Sequence, residues 1–434
     1  MDNGLKKKYG LLTAIAMVVG IVVGSGVFFK AEKVLGATGG NLKIGILAWV
    51  IGGLIMIICA YTFSMMATKY EYVNGLVDYA EVTMGKGYAY YVGWFMATIY
   101  LPALTSVLAW ISARYTCVLL GYDIAGGEAF AIACFFLVSS YAINVIKLVP
   151  LLLMAVVGTV MGLRSGMMIQ NFSTIVQPVS TSTALFTAVV ATAFAYEGWI
   201  IATSINAELK DSKKNLPKAL VLGTFIVVCV YILYYIGLSG VVSNENLMAS
   251  VEAGAKLAFT NAFSGFGGTL MFVFIVISCL GTLNGLMLGC TRGIYSLAAR
   301  NRGPKPEMFK QVDKETNMPT NSSVLGLFLT GFWLLYFYGA NLTNWFAPFR
   351  FDSSEIAIVT LYAMYIPIFI AFMRKEHEMS IVNRVIMPSL AIISCIFMMV
   401  AAVFAHKMAI VWYLIVFAVF MFIGWVCDRK NAKK

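Results

Sequence analysis

Twelve runs of apolar residues, each of roughly membrane-spanning length, leave this chain little alternative to a polytopic membrane fold. They lie near 11–29, 44–68, 88–120, 128–146, 147–163, 182–206, 218–241, 267–298, 322–338, 353–373, 385–405 and 408–426. A helix needs about 20 mostly apolar residues to cross the hydrocarbon. Lipid offers backbone N–H and C=O groups no partners, so each run is read as a helix. The composition agrees: 434 residues, 60% hydrophobic and only 12% charged, is too little charge for a soluble surface of this size. Lys6, Lys7 and Lys8 precede a first run that is too long for a signal peptide and has no small-residue cleavage site, so the first helix is expected to be retained.

The net charge of +11 would suggest nucleic acid in a soluble protein. Here the basic residues gather in short loops, as membrane orientation requires, and no nucleic-acid partner is expected. With both termini cytoplasmic, 21 of the 31 lysines and arginines fall on the inner side and 7 on the outer, with Arg114, Lys147 and Arg292 inside runs. That bias supports twelve spans in the plasma membrane (the inner membrane of a bacterial-type cell). The eight cysteines sit almost all in apolar runs without paired spacing and read as reduced packing residues. His377 and His406 lie far apart in this plan, so no metal pair is expected. Nucleotide-cradling, nucleophile-elbow and zinc-protease motifs are absent, so no enzyme and no cofactor is expected.

The run 11–29 carries Gly24-Ser25-Gly26 in its middle. Two glycines around a serine weaken a helix where lipid cannot satisfy the freed backbone, so such a break is tolerable only where it lines a cavity. Its N–H groups attract a carboxylate and its freed carbonyls an ammonium or a cation. The competing reading is close helix packing, since Gly20 and Gly24 are four apart. A second interruption, Phe194-Ala195-Tyr196-Glu197-Gly198-Trp199, falls five segments later and puts a carboxylate at mid-membrane depth. Transporters made of two inverted five-helix repeats unwind their first and sixth helices at the substrate site.

Gly24-Ser25-Gly26-Val27-Phe28, Phe194 to Trp199, Glu208 with Pro217-Lys218-Ala219, and Asn284-Gly285 with Arg292 and Ala299-Arg300 resemble the amino acid-polyamine-organocation superfamily. They are most similar to its L-type branch, in particular the bacterial alanine-serine-cysteine and serine/threonine exchangers, and the likeness covers nearly the whole chain. The resemblance implies an all-α membrane protein with a LeuT-like 5+5 inverted repeat and discontinuous helices 1 and 6. It places residues 1–163 in the first repeat, 164–374 in the second and 375–434 in two peripheral helices with the tail. It also implies that N–H groups around Ser25, Gly26 and Val27 hold the substrate carboxylate, and that carbonyls of Ile21, Phe194, Ala195 and Glu197 hold its amino group. Phe194 would be the thin aromatic gate on the external side. Lys147 would occupy the place sodium takes in related transporters, tethering the first helix, and Tyr231 would bridge that helix to the fifth.

The bland readings stand beside these. Lys147 is otherwise a lysine snorkelling from a helix end, and Tyr231, with Tyr234 and Tyr235 nearby, an ordinary interface aromatic. Arg292 is expected to anchor the inner end of its helix and Glu208 to join an inner polar network. The expected function is sodium-independent exchange of small neutral L-amino acids (alanine, serine, threonine, cysteine) by alternating access. The rivals are a proton-coupled symporter of the same fold, with Glu197 or Glu208 as carrier, an exchanger of cationic amino acids or polyamines, and a receptor that binds without transporting. A disulfide-linked heavy subunit is not expected, because Tyr122 to Glu128 holds no cysteine.

Three local expectations complete the reading. Glu71–Gly87 should form a short connecting helix. Arg300–Thr320 should form a longer amphipathic interfacial stretch. The run Ala129–Leu163 has no polar turn, which points to a short missing segment and a break in Cα spacing between Tyr141 and Pro150, the alternative being a tight hairpin.

Overall fold

The computed structural model describes residues 10–23, 26–70, 75–122, 127–139, 149–201, 203, 209–250, 254–313, 319–341, 343 and 345–432. Ser25, Lys147, Glu208 and the expected break in spacing before Val149 lie outside the described residues.

Each apolar run carries helix, but the first and sixth are interrupted. The first is α1 (Leu11–Val22) and α2 (Gly26–Ala37). Then come α3 (Leu42–Lys69), α4 (Leu76–Met84), α5 (Lys86–Leu120) and α6 (Gly127–Ser139). Next are α7 (Leu151–Ser165), α8 (Met167–Ser173), α9 (Thr181–Ala195), α10 (Ser212–Leu238) and α11 (Asn244–Ala249). The chain continues through α12 (Gly254–Ala298), kinked at Ser264, and α13 (Pro306–Phe309) to α14 (Thr320–Asn341). It finishes with α15 (Ile356–Lys375), α16 (Val382–His406) and α17 (Ala409–Ala432). Among the described residues nine helices are long and apolar enough to span, or ten if the bent pair α7 and α8 is one span. The expectation of about twelve included the first run, which is split, and the fourth, whose helix is shorter.

Local chemistry sets several boundaries. Asn41 caps α3 by accepting the Ile44 N–H, and the α7–α8 bend of 87° falls at Gly166, whose φ of 74° suits glycine. The expected connecting helix is α4. Of the expected amphipathic stretch after Arg300, the described residues hold one helical turn, α13, preceded by Gly303 and Pro304 and opened by Pro306.

The core is built by α3 and α10 around the two broken helices. The first break's halves divide their contacts, α1 lying along α10 and α2 against α9. The helices α12 and α14 pack on α5, while α16 packs on α15, α9 and α3. The last helix, α17, is mostly exposed and attaches to α5 through Trp94 Nε1 donating to Phe420 O (2.9 Å) and the Tyr90 hydroxyl donating to Gly424 O (2.7 Å).

Charged residues collect at two ends. At the end richer in basic residues, Arg300 pairs with Asp78 and with Glu81 (3.1 Å), Lys69 with Glu376 (2.6 Å), and Arg302 with Asp428 (2.5 Å). There burial tends to raise the Glu376 carboxyl, but Lys69 and Tyr70 hold it below the ordinary glutamate value. At the basic-poor end Asn171, which is buried, donates to Ser239 O and Val242 O (2.8 Å each) and accepts the Asn244 N–H (3.1 Å). Asn244 in turn donates to Gly40 O and Asn171 O. Removing this amide leaves several buried groups unpaired, so Asn171→Ala is expected to destabilise the fold by about 2 kcal/mol or more. Thermal unfolding in detergent reads this as a lowered midpoint, and an unchanged midpoint would contradict it.

Candidate functional site

Where α1 stops, Val23 turns to extended backbone (φ −70°, ψ 102°), and three positions on α2 starts at Gly26. Where α9 stops after Ala195, Tyr196 leaves helical geometry and Gly198 takes a φ of 103°. These two breaks meet main chain to main chain. A Cβ built on Gly26 would lie 2.5 Å from Ala195 Cα, so only glycine permits the approach. Of the residues expected at the site, Gly26 and Val27 open α2 and are buried, Phe194 and Ala195 close α9, and Glu197 follows directly. Ile21 stands in the last turn of α1.

Helix ends supply the chemistry. The first N–H groups of α2 have no partner in their own helix, and the breaks end the regular carbonyl ladders of α1 and α9, with Phe194 O still accepting the Glu197 N–H (3.5 Å). Together they offer donors and acceptors across the gap, with the dipole of α2 favouring an anion. Two of the freed carbonyls are taken by side chains. The Tyr231 hydroxyl donates to Val22 O (2.9 Å) and the Thr282 hydroxyl to Val23 O (3.3 Å). Of the three tyrosines in that stretch of α10, Tyr231 is the one that makes this bond.

Aromatic packing fixes the second break. Tyr196 points away into α3, donating to Trp49 O (3.0 Å) and stacking on Tyr231 at 5.3 Å. The Glu197 carboxyl is buried and accepts from the hydroxyl of Tyr100; among the described residues its Oε2 has no hydrogen-bond partner. Tyr100 is aimed there by a wider i→i+5 turn at Met96–Tyr100 within α5, a local irregularity that often marks function. Phe194 contacts Phe29 edge to face at 6.3 Å, and the Lys30 ammonium lies 5.2 Å from its ring centroid.

Tyr100, Thr282 and Lys30 escape a reading of the sequence. Tyr100 and Thr282 sit in unbroken apolar runs, and Lys30 sits at a run's edge where lysine is ordinarily solvated. His377 and His406 are at opposite ends, His377 beside Arg384 and His406 beside Glu355; among the described residues no metal-ligating cluster occurs. Arg292 is exposed on α12, and none of the eight cysteines is in a disulfide.

Two interrupted helices, meeting backbone to backbone inside a multi-pass helical bundle, define a LeuT-like membrane transporter fold. A solved structure, MhsT in complex with L-phenylalanine, shares that fold with a TM-score of 0.63 at 14% identity, over 92% of this chain and 99% of that one. The amino acid permease family matches residues 9–427, and the chain belongs to that family, within the amino acid-polyamine-organocation superfamily. Among its relatives, the serine/threonine exchanger SteT of Bacillus subtilis is 29% identical over 94% of each chain. The b(0,+)-type amino acid transporter 1 of Mus musculus is 23% identical over 93% of this chain and 84% of its own.

Proposed function

We propose that the protein exchanges small neutral L-amino acids, such as alanine, serine, threonine and cysteine, across the plasma membrane by alternating access and without sodium. The observation that carries this reading is the apposition of Gly26 and Ala195, which turns two helix breaks into one backbone-lined site. Backbone dipoles recognise the part common to all amino acids: N–H groups around Ser25, Gly26 and Val27 take the carboxylate, and carbonyls of Ile21, Phe194, Ala195 and Glu197 take the ammonium. Phe194 covers the site toward the basic-poor end. The serine/threonine exchanger among its relatives supports exchange and small polar substrates.

Sodium independence is supported by Tyr231 and Thr282, whose hydroxyls occupy carbonyls that a cation would otherwise coordinate. Lys147 would add a fixed positive charge there. Residues 1–163 and 164–374 act as the two repeats that rock about the site, with 375–434 peripheral. The chain works as a lone subunit, with both termini cytoplasmic.

Labelled L-alanine uptake into liposomes tests this. Uptake that requires internal L-serine and is equal with and without sodium is expected; uptake into empty liposomes driven by sodium would overturn it. One observation favours a second reading, proton-coupled symport: the Glu197 carboxyl is buried, and among the described residues its Oε2 has no hydrogen-bond partner and it joins no ion pair. Uptake into empty liposomes driven by a pH gradient, and lost in Glu197→Gln, would select symport over exchange.

A further inference from the structure

Lys30 is fully buried, an expensive place for an ammonium. It donates to Glu355 Oε1 (2.6 Å) and Ser354 Oγ (3.2 Å), while lying 4.9 and 5.2 Å from the ring centroids of Phe29 and Phe194. Lys33, one turn on, bonds the same Glu355 oxygen (2.7 Å) and Asp352 Oδ2 (2.8 Å). The other Glu355 oxygen faces His406 Nε2 at 3.2 Å. Three elements therefore meet on one carboxylate: the second half of the broken first helix, the segment leading into α15, and the end of α16.

A buried ion pair is a poor source of stability, since apolar side chains of similar size do as well. It is well suited to being opened, because entering water solvates both partners. When it opens, Lys30 withdraws from the Phe194 ring. We propose that this cluster is a proton-sensitive latch: Lys30 and Glu355 hold Phe194 over the site, and protonation of His406 strengthens the hold. The inference rests on reading Phe194 as the cover of an amino acid site.

The charged groups around His406 are Glu355 and Asp352, with Arg350 on the same segment, Lys30 and Lys33 on α2, and Lys407 beside it in sequence. Burial pushes the Asp352 carboxyl up, but Lys33 and Lys30 hold it down at about 2. Burial likewise acts on Glu355, and Lys30 and Lys33 hold it well below the usual carboxylate range. Stability from Asp352 is complete above the ordinary aspartate value and is lost only as pH falls through about 2. Both carboxylates are therefore held ionised near neutral pH. An imidazolium against Glu355 adds an attraction that the neutral ring lacks, so acid favours the closed arrangement.

The test has two readouts on the full chain, with equal pH on both sides of the liposome. First, wild-type L-alanine exchange is expected to fall roughly two- to five-fold from pH 8 to pH 5.5, the effect of one largely buried ion pair. His406→Gln should flatten that profile, and His406→Lys should hold the slow rate even at pH 8. Second, hydrogen exchange of the 350–356 peptide is compared between variants at each pH, which cancels the intrinsic pH dependence. At pH 5.5 His406→Gln should be less protected than wild type, and at pH 8 His406→Lys should be more protected. This second readout needs no transport, so a chain that carries no amino acid but shows this protection pattern keeps the latch and loses the exchange reading. A His406→Gln variant matching wild type in peptide protection at pH 5.5, or retaining the wild-type exchange profile, overturns the latch.

Discussion

Gly26→Ala is expected to cut exchange by between about ten- and a hundred-fold, because the new methyl would lie 2.5 Å from the Cα of Ala195. Overpacking of this kind costs ~1–3 kcal/mol, and 1.4 kcal/mol is about a factor of ten in rate. The nearest atom is main chain, so the partner cannot turn aside: the two broken helices must part, and the donors of α2 then lose their register with the carbonyls of α9. Two controls isolate the cause. Gly36→Ala lies on the same helix with nothing within 4 Å of its new Cβ, and should leave exchange near wild type. Ala195→Gly should fail to rescue Gly26→Ala, since it removes a side chain and leaves the Cα in place. Rescue by that second change, or full exchange in Gly26→Ala alone, would show that the breaks are not in working contact.

Tyr231→Phe is the second large effect. The ring still stacks on Tyr196, but Val22 O loses its 2.9 Å donor. A buried acceptor left unpaired costs about 1–3 kcal/mol, so exchange should drop by roughly five- to a hundred-fold. Thr282→Val should act in the same direction and less strongly, its bond to Val23 O being 3.3 Å. Uptake is measured with and without sodium at matched protein. Sodium is expected to restore neither variant, and recovery by sodium would mean that the hydroxyl stands in for a cation the site still accepts.

The bundle and its two interruptions were legible because lipid simplifies the problem. Gly24-Ser25-Gly26 and Tyr196-Glu197-Gly198 stand out against runs that must otherwise be helical, and spacing in the chain tells which two helices they break. The site's supporting side chains were less legible. Tyr100 reaches Glu197 because a wider turn rotates its end of α5, and no residue type announces that turn. Lys30 looks like a lysine at a helix margin; its burial depends on Ser354 and Glu355, more than 300 positions away in the chain. Contacts of that range are invisible to periodicity.

The asparagine cluster at the basic-poor end bears on how the chain is made. Asn171 emerges from the ribosome long before its partners, with Ser239, Val242 and Asn244 following 68, 71 and 73 residues later. Until they arrive, its amide has none of these three partners, and the bend between α7 and α8 lacks the bonds that tie it to the far end of α10. Maturation of this corner is therefore a late event of biogenesis, set by synthesis of the seventh apolar run and not by insertion of the fifth. A chain stalled before Ser239 would present an unfinished bend, the kind of lesion that membrane quality control is positioned to remove.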